Sequence, residues 1–197
     1  MRQESAESAE IVESAAGFTL IELLVCMAIV AFLALQASPG IAEWRARKAA
    51  DGLIRELLSA VAMARAHAIA GNVTVTFCRS ADGSSCGGNW RDGSILFRDA
   101  NADRIVNDDD RVLFRLTLLP VDGTLEFRSF QNRQYLQIDS RGFTLYQNGN
   151  FTYCPANGDA RLARQLIISL SGRTRLARDT DGDGIVEDSQ GRALSCD

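Results

Sequence analysis

An apolar run near the amino terminus constrains this chain most, because it has the length of a membrane-spanning helix and yet contains a carboxylate. Phe18–Ala37 is 20 residues long, Glu22 is its only charged side chain, and Pro39 follows closely. About 20 apolar residues span a bilayer as a helix. An unpaired acid inside such a helix costs roughly 2.5–3.5 kcal/mol on insertion scales. We therefore expect Glu22 to have a partner; the plainer alternative is a signal-anchor helix that tolerates a polar residue near the interface.

The six residues from Gly17 to Glu22, GFTLIE, closely resemble the prepilin peptidase site of type IV pilins and type II secretion pseudopilins. The resemblance implies that a leader, residues 1–17, is removed after Gly17 and that the new amine of Phe18 is methylated. It also implies that Glu22 pairs with this amine on a neighbouring subunit. A charged group is costly in the membrane unless an opposite charge lies next to it. The pair would therefore fix the position of one subunit relative to the next in a filament. One departure is that the leader holds Arg2 and four glutamates, whereas cytoplasmic leaders are normally basic.

Composition limits what else the chain can do. With 197 residues and 46% hydrophobic content, it has room for one membrane helix and one modest domain. The net charge is −4, which argues against a globally basic nucleic-acid binder, so any anion site must be local. His67 is the only histidine, and we expect it to lie on the surface or pack on a helix. The sequence offers no convincing catalytic nucleophile with a general base and no cofactor-binding loop, so we do not expect an enzyme.

The cysteines point to an oxidising compartment. Cys26 lies in the apolar run and four others lie beyond it, and four cysteines allow three pairings. Closeness in sequence favours Cys78 with Cys86, which leaves Cys154 to pair with Cys196. Two such bridges predict a periplasmic or surface domain. A zinc site is the rival interpretation, but the chain has no CxxC and a single histidine, which disfavours it.

Hydrophobic spacing predicts one long helix followed by strands. The helix is expected over Phe18–Ala70, with a transmembrane half at residues 18–40 and an amphipathic half at 41–71. Its predicted core-facing residues are Ile54, Leu57, Leu58, Val61, Ala64, Ala68 and Ile69. Residues 72–197 form a β-rich domain with an acidic tail. Its predicted strands are Val73–Cys78, Ser94–Phe97, Arg111–Leu118, Thr124–Phe127, Tyr135–Ile138, Phe143–Tyr146, Phe151–Cys154, Gln165–Leu170 and Arg173–Leu176. The fold class is therefore α+β, with antiparallel sheet packed on the helix.

Further stretches resemble the GspH/FimT branch of minor pilins and pseudopilins. They are Ala64–Ala68, Asn72–Val75, Asn89–Gly93 and Leu96–Asn101, and the resemblance extends from Gly17 to about Arg178. It implies a pilin-like fold and a single-pass protein of the bacterial inner membrane, with its domain in the periplasm, that enters a pilus or pseudopilus. The implied partners are prepilin peptidase and other pilins or pseudopilins. FimT-type minor pilins are the nearest subgroup, and a type II secretion pseudopilin serving protein export is the alternative.

Gly172-Arg173-Thr174-Arg175 resembles the GRxR motif of FimT-type pilins. The resemblance implies DNA binding during natural transformation, with the pilin in or near the pilus tip. Two arginines at i and i+2 on a strand point the same way and present forked donors suited to phosphates. Arg178 extends the patch, and Arg161 and Arg164 are further candidates. The alternative is an ordinary solvated basic edge strand, which blunts association between sheets.

The acidic tail contains one pattern typical of a calcium loop. Asp179, Asp181 and Asp183 occupy alternate positions and Gly184 follows, as ligands 1, 3 and 5 and the turn glycine do in such a loop. Position 12 is Gln190, which cannot supply the bidentate carboxylate of the full motif; Glu187 or Asp188 are possible substitutes. We also expect these acids to compete with phosphate for the neighbouring arginines. No cofactor is required for the predicted role, and calcium is the one candidate.

A second alternation of oxygen side chains, Asp99, Asn101 and Asp103, has Arg104 where the turn glycine would stand. Without that glycine the loop fits the calcium pattern less well. These acids are therefore expected to be solvated turn residues.

Overall fold

The computed structural model describes residues 17–117 and 122–196. The predicted leader, apart from Gly17, lies outside the described residues, as do the side chains of positions 34–39 within the predicted membrane segment. The chain divides into two compact units, Met1–Glu43 and Trp44–Asp197. Helix α1, Leu20–Gly71, begins in the first unit and ends in the second, close to the predicted bounds.

The first turn of α1 is capped by Thr19. Its hydroxyl oxygen accepts the backbone N–H of Glu22 at 3.3 Å, and its carbonyl accepts the N–H of Leu23 at 3.2 Å. A threonine that caps the N–H three residues ahead, with glutamate at that position, is one half of a capping box. Glu22 also lies where the helix dipole favours a negative charge. The motif that carries the resemblance therefore also starts the helix.

The large apolar side chains that the structure describes between positions 18 and 33 are exposed. The exposed set comprises Phe18, Leu20, Ile21, Leu23, Leu24, Val25, Met27, Ile29, Val30, Phe32 and Leu33. No helical stretch of the described part of the chain has the length and apolarity needed to cross a membrane.

The second half of α1 buries one face in the core of the second unit. The buried residues are Ala50, Leu53, Ile54, Leu57, Ala60, Val61, Ala64 and Ala68. They recur at spacings of three and four, as expected for an amphipathic helix. Leu58 is only partly buried. Ile69 is 46% exposed, so its predicted place in the core is wrong.

Eight antiparallel strands lie in the described residues and form two sheets. They are β1 Val75–Arg79, β2 Ser94–Arg98, β3 Arg111–Leu116, β4 Gly123–Ser129, β5 Tyr135–Ile138, β6 Gly149–Pro155, β7 Arg164–Ile168 and β8 Thr174–Leu176. One sheet has the order β3-β2-β1-β5 and the other β4-β6-β7-β8. The predicted α+β class is confirmed, and the antiparallel strands of the described residues form two four-stranded sheets.

The predicted strand Phe143–Tyr146 is wrong. In this segment Thr144 forms only an isolated bridge with Ile138. Its backbone N–H donates instead to the carbonyl of Leu170, at 2.9 Å. Tyr146 has a φ of +63°, a left-handed conformation that ends an extended segment. The alternating pattern was present, but the backbone groups bond to two different neighbours.

Aromatic side chains close the core. Trp90 makes edge contacts with Phe127 and Phe151, at centroid distances of 5.7 and 4.8 Å. Its indole N–H donates to Gln134 Oε1 at 3.2 Å. The stretch Asn89–Gly93 thus places a tryptophan in the core, which gives it a structural role.

Two disulfides have the pairing favoured by the sequence. Cys78 on β1 bonds Cys86 in the connection between β1 and β2, and Cys154 on β6 bonds Cys196 near the carboxyl terminus. Cys26 is free and exposed. The second bridge holds the acidic tail against the β4-β6-β7-β8 sheet.

Candidate functional site

The turn between β7 and β8 depends on Gly172. Its N–H donates to the carbonyl of Ser169 at 2.9 Å, and it has a φ of +68°. A Cβ at this position would lie 2.1 Å from the carbonyl oxygen of Gly142. That same oxygen accepts a hydrogen bond from Arg65 Nε of α1 at 3.2 Å. Glycine is therefore required here by backbone conformation and by a close backbone contact.

This turn presents the arginines of the motif on an edge strand. Arg173 precedes β8, and Arg175 lies on it opposite Ile167. Both side chains are exposed, as is that of Arg178. Arg173 Nε donates to Ser171 Oγ at 3.1 Å. Among the described residues, no carboxylate forms an ion pair with any of these three arginines.

Arg161 and Arg164 differ from the motif arginines in this respect. Arg164 Nε donates to Asp51 Oδ1 at 2.6 Å, and Arg161 pairs with Asp159 at 3.2 Å. The guanidinium of Arg161 lowers the pKa of Asp159 by a side-chain hydrogen bond. Both arginines are engaged by carboxylates of the described chain, and their contribution to the patch stays a prediction.

The neighbouring turn, which supplies the Gly142 carbonyl, is held by Asp139. Burial alone would raise the pKa of Asp139, but the N–H of Phe143 and the side chain of Arg141 outweigh it, and the pKa is lowered. Arg141 Nη2 lies 2.7 Å from Asp139 Oδ2. The charged form of Asp139 therefore stabilises the turn on which Gly172 packs.

The acidic loop after β8 binds its own backbone. Asp179 accepts the N–H of Gly182 at 2.6 Å and that of Gly184 at 2.9 Å. Asp183 accepts the N–H of Ile185 at 2.7 Å. We expected these aspartates to compete with phosphate for Arg173 and Arg175. Within the described chain, none of them forms an ion pair with either arginine. The acids are instead arranged toward the inside of their own loop.

Glu187 joins this loop from a buried position. It is 7% exposed, and its Oε2 accepts the N–H and the hydroxyl of Thr180 at 2.8 and 3.0 Å. Its Oε1 is buried and has no hydrogen-bond partner among the described residues. One carboxylate oxygen from each of Asp179, Asp181, Asp183 and Glu187 lies within 4.8 Å of the others. The sequence marked Glu187 only as a substitute ligand and offered no signal that it is buried.

Asp99 shows that the expectation of solvated acids in the other loop is wrong. Asp99 is fully buried. Its Oδ2 accepts hydrogen bonds from Thr76 Oγ1 at 2.5 Å and from Gln137 Nε2 at 3.1 Å. The backbone N–H of Asp103 donates to its other oxygen at 3.1 Å. Asp99 thus ties the loop to β1 and β5, and its side-chain donors, Thr76 and Gln137, are far away in the sequence.

At the other end of the described chain, the residues on both sides of the predicted peptidase cleavage site are exposed. Gly17 and Phe18 are both exposed, and Phe18 retains 84% of its accessible surface. A Cβ on Gly17 would meet no atom within 4 Å. Packing within the described chain therefore does not require glycine at this position.

His67 is exposed on α1. Among the described residues, the clusters able to hold a metal consist of aspartate and glutamate only, so His67 belongs to none of them.

Comparisons with known proteins agree with this fold. The family model for the type II transport protein GspH matches residues 53–172, and that for the prokaryotic N-terminal methylation motif matches residues 14–35. No curated protein matches the chain. The GspH match ends at Gly172, so it does not reach the motif arginines or the acidic loop.

Two crystal structures of the type IV minor pilin FimU from Pseudomonas aeruginosa are similar to the chain. One has a TM-score of 0.52 and 18% identity, and covers 79% of this chain and 97% of FimU. The other crystal form has a TM-score of 0.49 and 19% identity, and covers 76% and 98%. At such identities the likeness concerns the fold alone.

Proposed function

Because this chain belongs to the GspH family of pilin-like proteins, we propose that it is a minor type IV pilin that contacts DNA through Arg173 and Arg175. It acts in or near the pilus tip, for natural transformation or pilus biogenesis. The observation that carries the DNA role is that Arg173 and Arg175 are exposed at the start of the edge strand β8 and have no carboxylate partner in the described chain. Arginine's planar fork matches phosphate oxygens.

The amino-terminal half of the proposal rests on the methylation-motif match. Prepilin peptidase cleaves between Gly17 and Phe18, and the apolar side chains from Phe18 onward anchor the mature protein in the inner membrane with its domain in the periplasm. Exposure of those side chains supports this, because the ones that the structure describes are not buried against other parts of the described chain. Glu22, at the first turn of α1, then pairs with the Phe18 amine of a neighbouring pilin, which relieves the cost of an acid in the membrane.

Binding through these arginines should be modest and indifferent to base sequence. Phosphate contacts position a protein on DNA without specifying sequence. A few such contacts give dissociation constants of about 10⁻⁴ to 10⁻⁶ M at physiological salt. Many subunits on a pilus would supply avidity.

The test is a salt titration of duplex DNA binding by the full chain in detergent micelles. Changing Arg173 and Arg175 together to glutamine should flatten the slope of log affinity against log salt by about 0.9 for each lost contact. The matched control changes Arg98 and Arg111 to glutamine, since both are exposed and pair in register on the other sheet. This control removes the same charge and should leave the slope unchanged. Equal slopes for wild type and the Arg173/Arg175 variant would remove the DNA role.

The second candidate function is a type II secretion pseudopilin that serves protein export. The description of the matching family, type II transport protein GspH, favours it. Deletion of the chain separates the two functions: loss of transformation supports the pilin, and loss of protein secretion supports the pseudopilin. The arginine variants sharpen the comparison, because a pseudopilin should tolerate them.

A further inference from the structure

The acidic loop between β8 and the carboxyl-terminal disulfide brings four carboxylates together around a common point. They belong to Asp179, Asp181, Asp183 and Glu187, and one oxygen from each lies within 4.8 Å of the others. Four like charges this close repel one another unless a cation lies between them. Clustered acids alone are common on protein surfaces, so a further feature is needed to distinguish a ligand site.

Glu187 supplies that feature. It is only 7% exposed, and its Oε2 is satisfied by the two Thr180 donors, whereas Oε1 is buried with no hydrogen-bond partner in the described chain. A buried carboxylate oxygen without a donor is strongly unfavourable unless a charge or a metal ion compensates it. We propose that this loop is a calcium site, with Asp179, Asp181, Asp183 and Glu187 as its carboxylate ligands.

The chemistry of the ligands favours calcium over other cations. Calcium takes six to eight oxygen ligands at about 2.3–2.6 Å in a flexible geometry, and carboxylates are among its preferred ligands. Magnesium holds oxygens at about 2.0–2.1 Å in a strict octahedron and keeps several waters. Zinc prefers nitrogen and sulfur ligands, which this all-carboxylate cluster does not offer.

The loop departs from an EF-hand in its last ligand. Asp179, Asp181 and Asp183 stand at the first, third and fifth positions, and Gly184, with a φ of +90°, stands at the sixth. The seventh position, which contributes a carbonyl oxygen in EF-hands, is Ile185. In EF-hands a glutamate at position 12 supplies the last carboxylate ligand. Position 12 here is Gln190, so Glu187 at the ninth position supplies that carboxylate instead. The site is accordingly shorter than an EF-hand.

Bound calcium would stabilise the carboxyl-terminal segment. The N–H of Glu187 donates to the carbonyl of Arg178 at 3.1 Å, and the N–H of Leu194 donates to the carbonyl of Val186 at 3.0 Å. Glu187 also bridges Ala193, shortly before Cys196. One ion would thus link the end of β8 to the strand pair that precedes the disulfide.

The test measures calcium binding and thermal unfolding of the full chain in detergent micelles, with disulfides intact. Titration with calcium chloride should show one site, and magnesium chloride should bind at least about tenfold more weakly. At a free calcium concentration about a hundredfold above the dissociation constant, the unfolding midpoint should rise by about 5–10 °C. Exchange of Asp181, which is exposed, for asparagine should weaken calcium binding at least about tenfold without disturbing the fold. Glu187→Gln should do the same.

Asp108→Asn is the matched control, because Asp108 is an exposed aspartate on a different loop; it should bind calcium as the wild type does. Weak extracellular calcium sites are filled at about 10 mM calcium. If the wild type binds no calcium at that concentration, the proposal is overturned. Retention of full affinity by Asp181→Asn or by a folded Glu187→Gln also overturns it. Equal loss in Asp108→Asn overturns it too, since the effect would then follow net charge. Failure of the DNA experiment leaves these outcomes unaffected.

Discussion

Replacing Gly172 with alanine should destabilise the second unit by about 2–5 kcal/mol, for two separable reasons. The residue has a φ of +68°, and a left-handed conformation costs a residue with a Cβ about 1–2 kcal/mol. The added Cβ would also lie 2.1 Å from the carbonyl oxygen of Gly142, well inside the 3.0 Å below which something must shift. Overpacking of this kind costs about 1–3 kcal/mol. The displaced carbonyl is the one that accepts from Arg65.

Gly191→Ala isolates the first of these costs. Gly191 has a φ of +79°, and a Cβ there would meet nothing within 4 Å. The Gly191→Ala variant should therefore lose only the free energy that the left-handed conformation costs, about 1–2 kcal/mol. Urea unfolding of the full chain in micelles gives both free energies, provided the dependence on urea is unchanged. It is followed by tryptophan fluorescence, in a variant with the exposed Trp44 changed to phenylalanine so that Trp90 in the aromatic core reports alone. Equal destabilisation by the two alanines would refute the contact between the two turns. Gly172→Ala should also weaken DNA binding although both arginines remain, because their turn moves.

Three further outcomes are expected. Removing the Cys154–Cys196 bridge with a double serine variant should cost about 4 kcal/mol in the chain-entropy model, given a sequence separation of 42; an unchanged urea midpoint would contradict this. The pKa of Asp139 is lowered by folding, so its stabilising contribution is present above about pH 4 and is lost as pH falls through the folded pKa. Asp139→Asn should therefore be less stable than wild type at pH 7, with a gap that closes in acid; a gap independent of pH would count against it. Mass spectrometry of membrane-extracted protein should find Phe18 as the first residue, and a mature chain that retains Gly17 would disprove cleavage.

Local patterns in the sequence carried much of the fold. The spacing of apolar residues predicted α1, because apolar residues that recur every three or four positions over a few turns are typical of a helix with one buried face. Closeness in sequence predicted the Cys78–Cys86 bridge, and the remaining pair followed by elimination. The GFTLIE stretch predicted the amino-terminal pilin-like motif, and the match to the methylation-motif family confirms it, because such a motif is formed by consecutive residues.

The tertiary structure decided what depends on residues far apart in the chain. Gly172 packs on Gly142, and Asp99 draws its donors from Thr76 and Gln137. The alternation at positions 143–146 predicted a strand, yet the backbone there bonds to two separate neighbours. A pattern in the sequence reports the conformation and period of its own segment, whereas burial and pairing depend on what other segments bring to the same place. For this reason the sequence alone identified the motif arginines and the loop aspartates. Only the fold left Arg173 and Arg175 without carboxylate partners in the described chain and brought the buried residue Glu187 next to the aspartates.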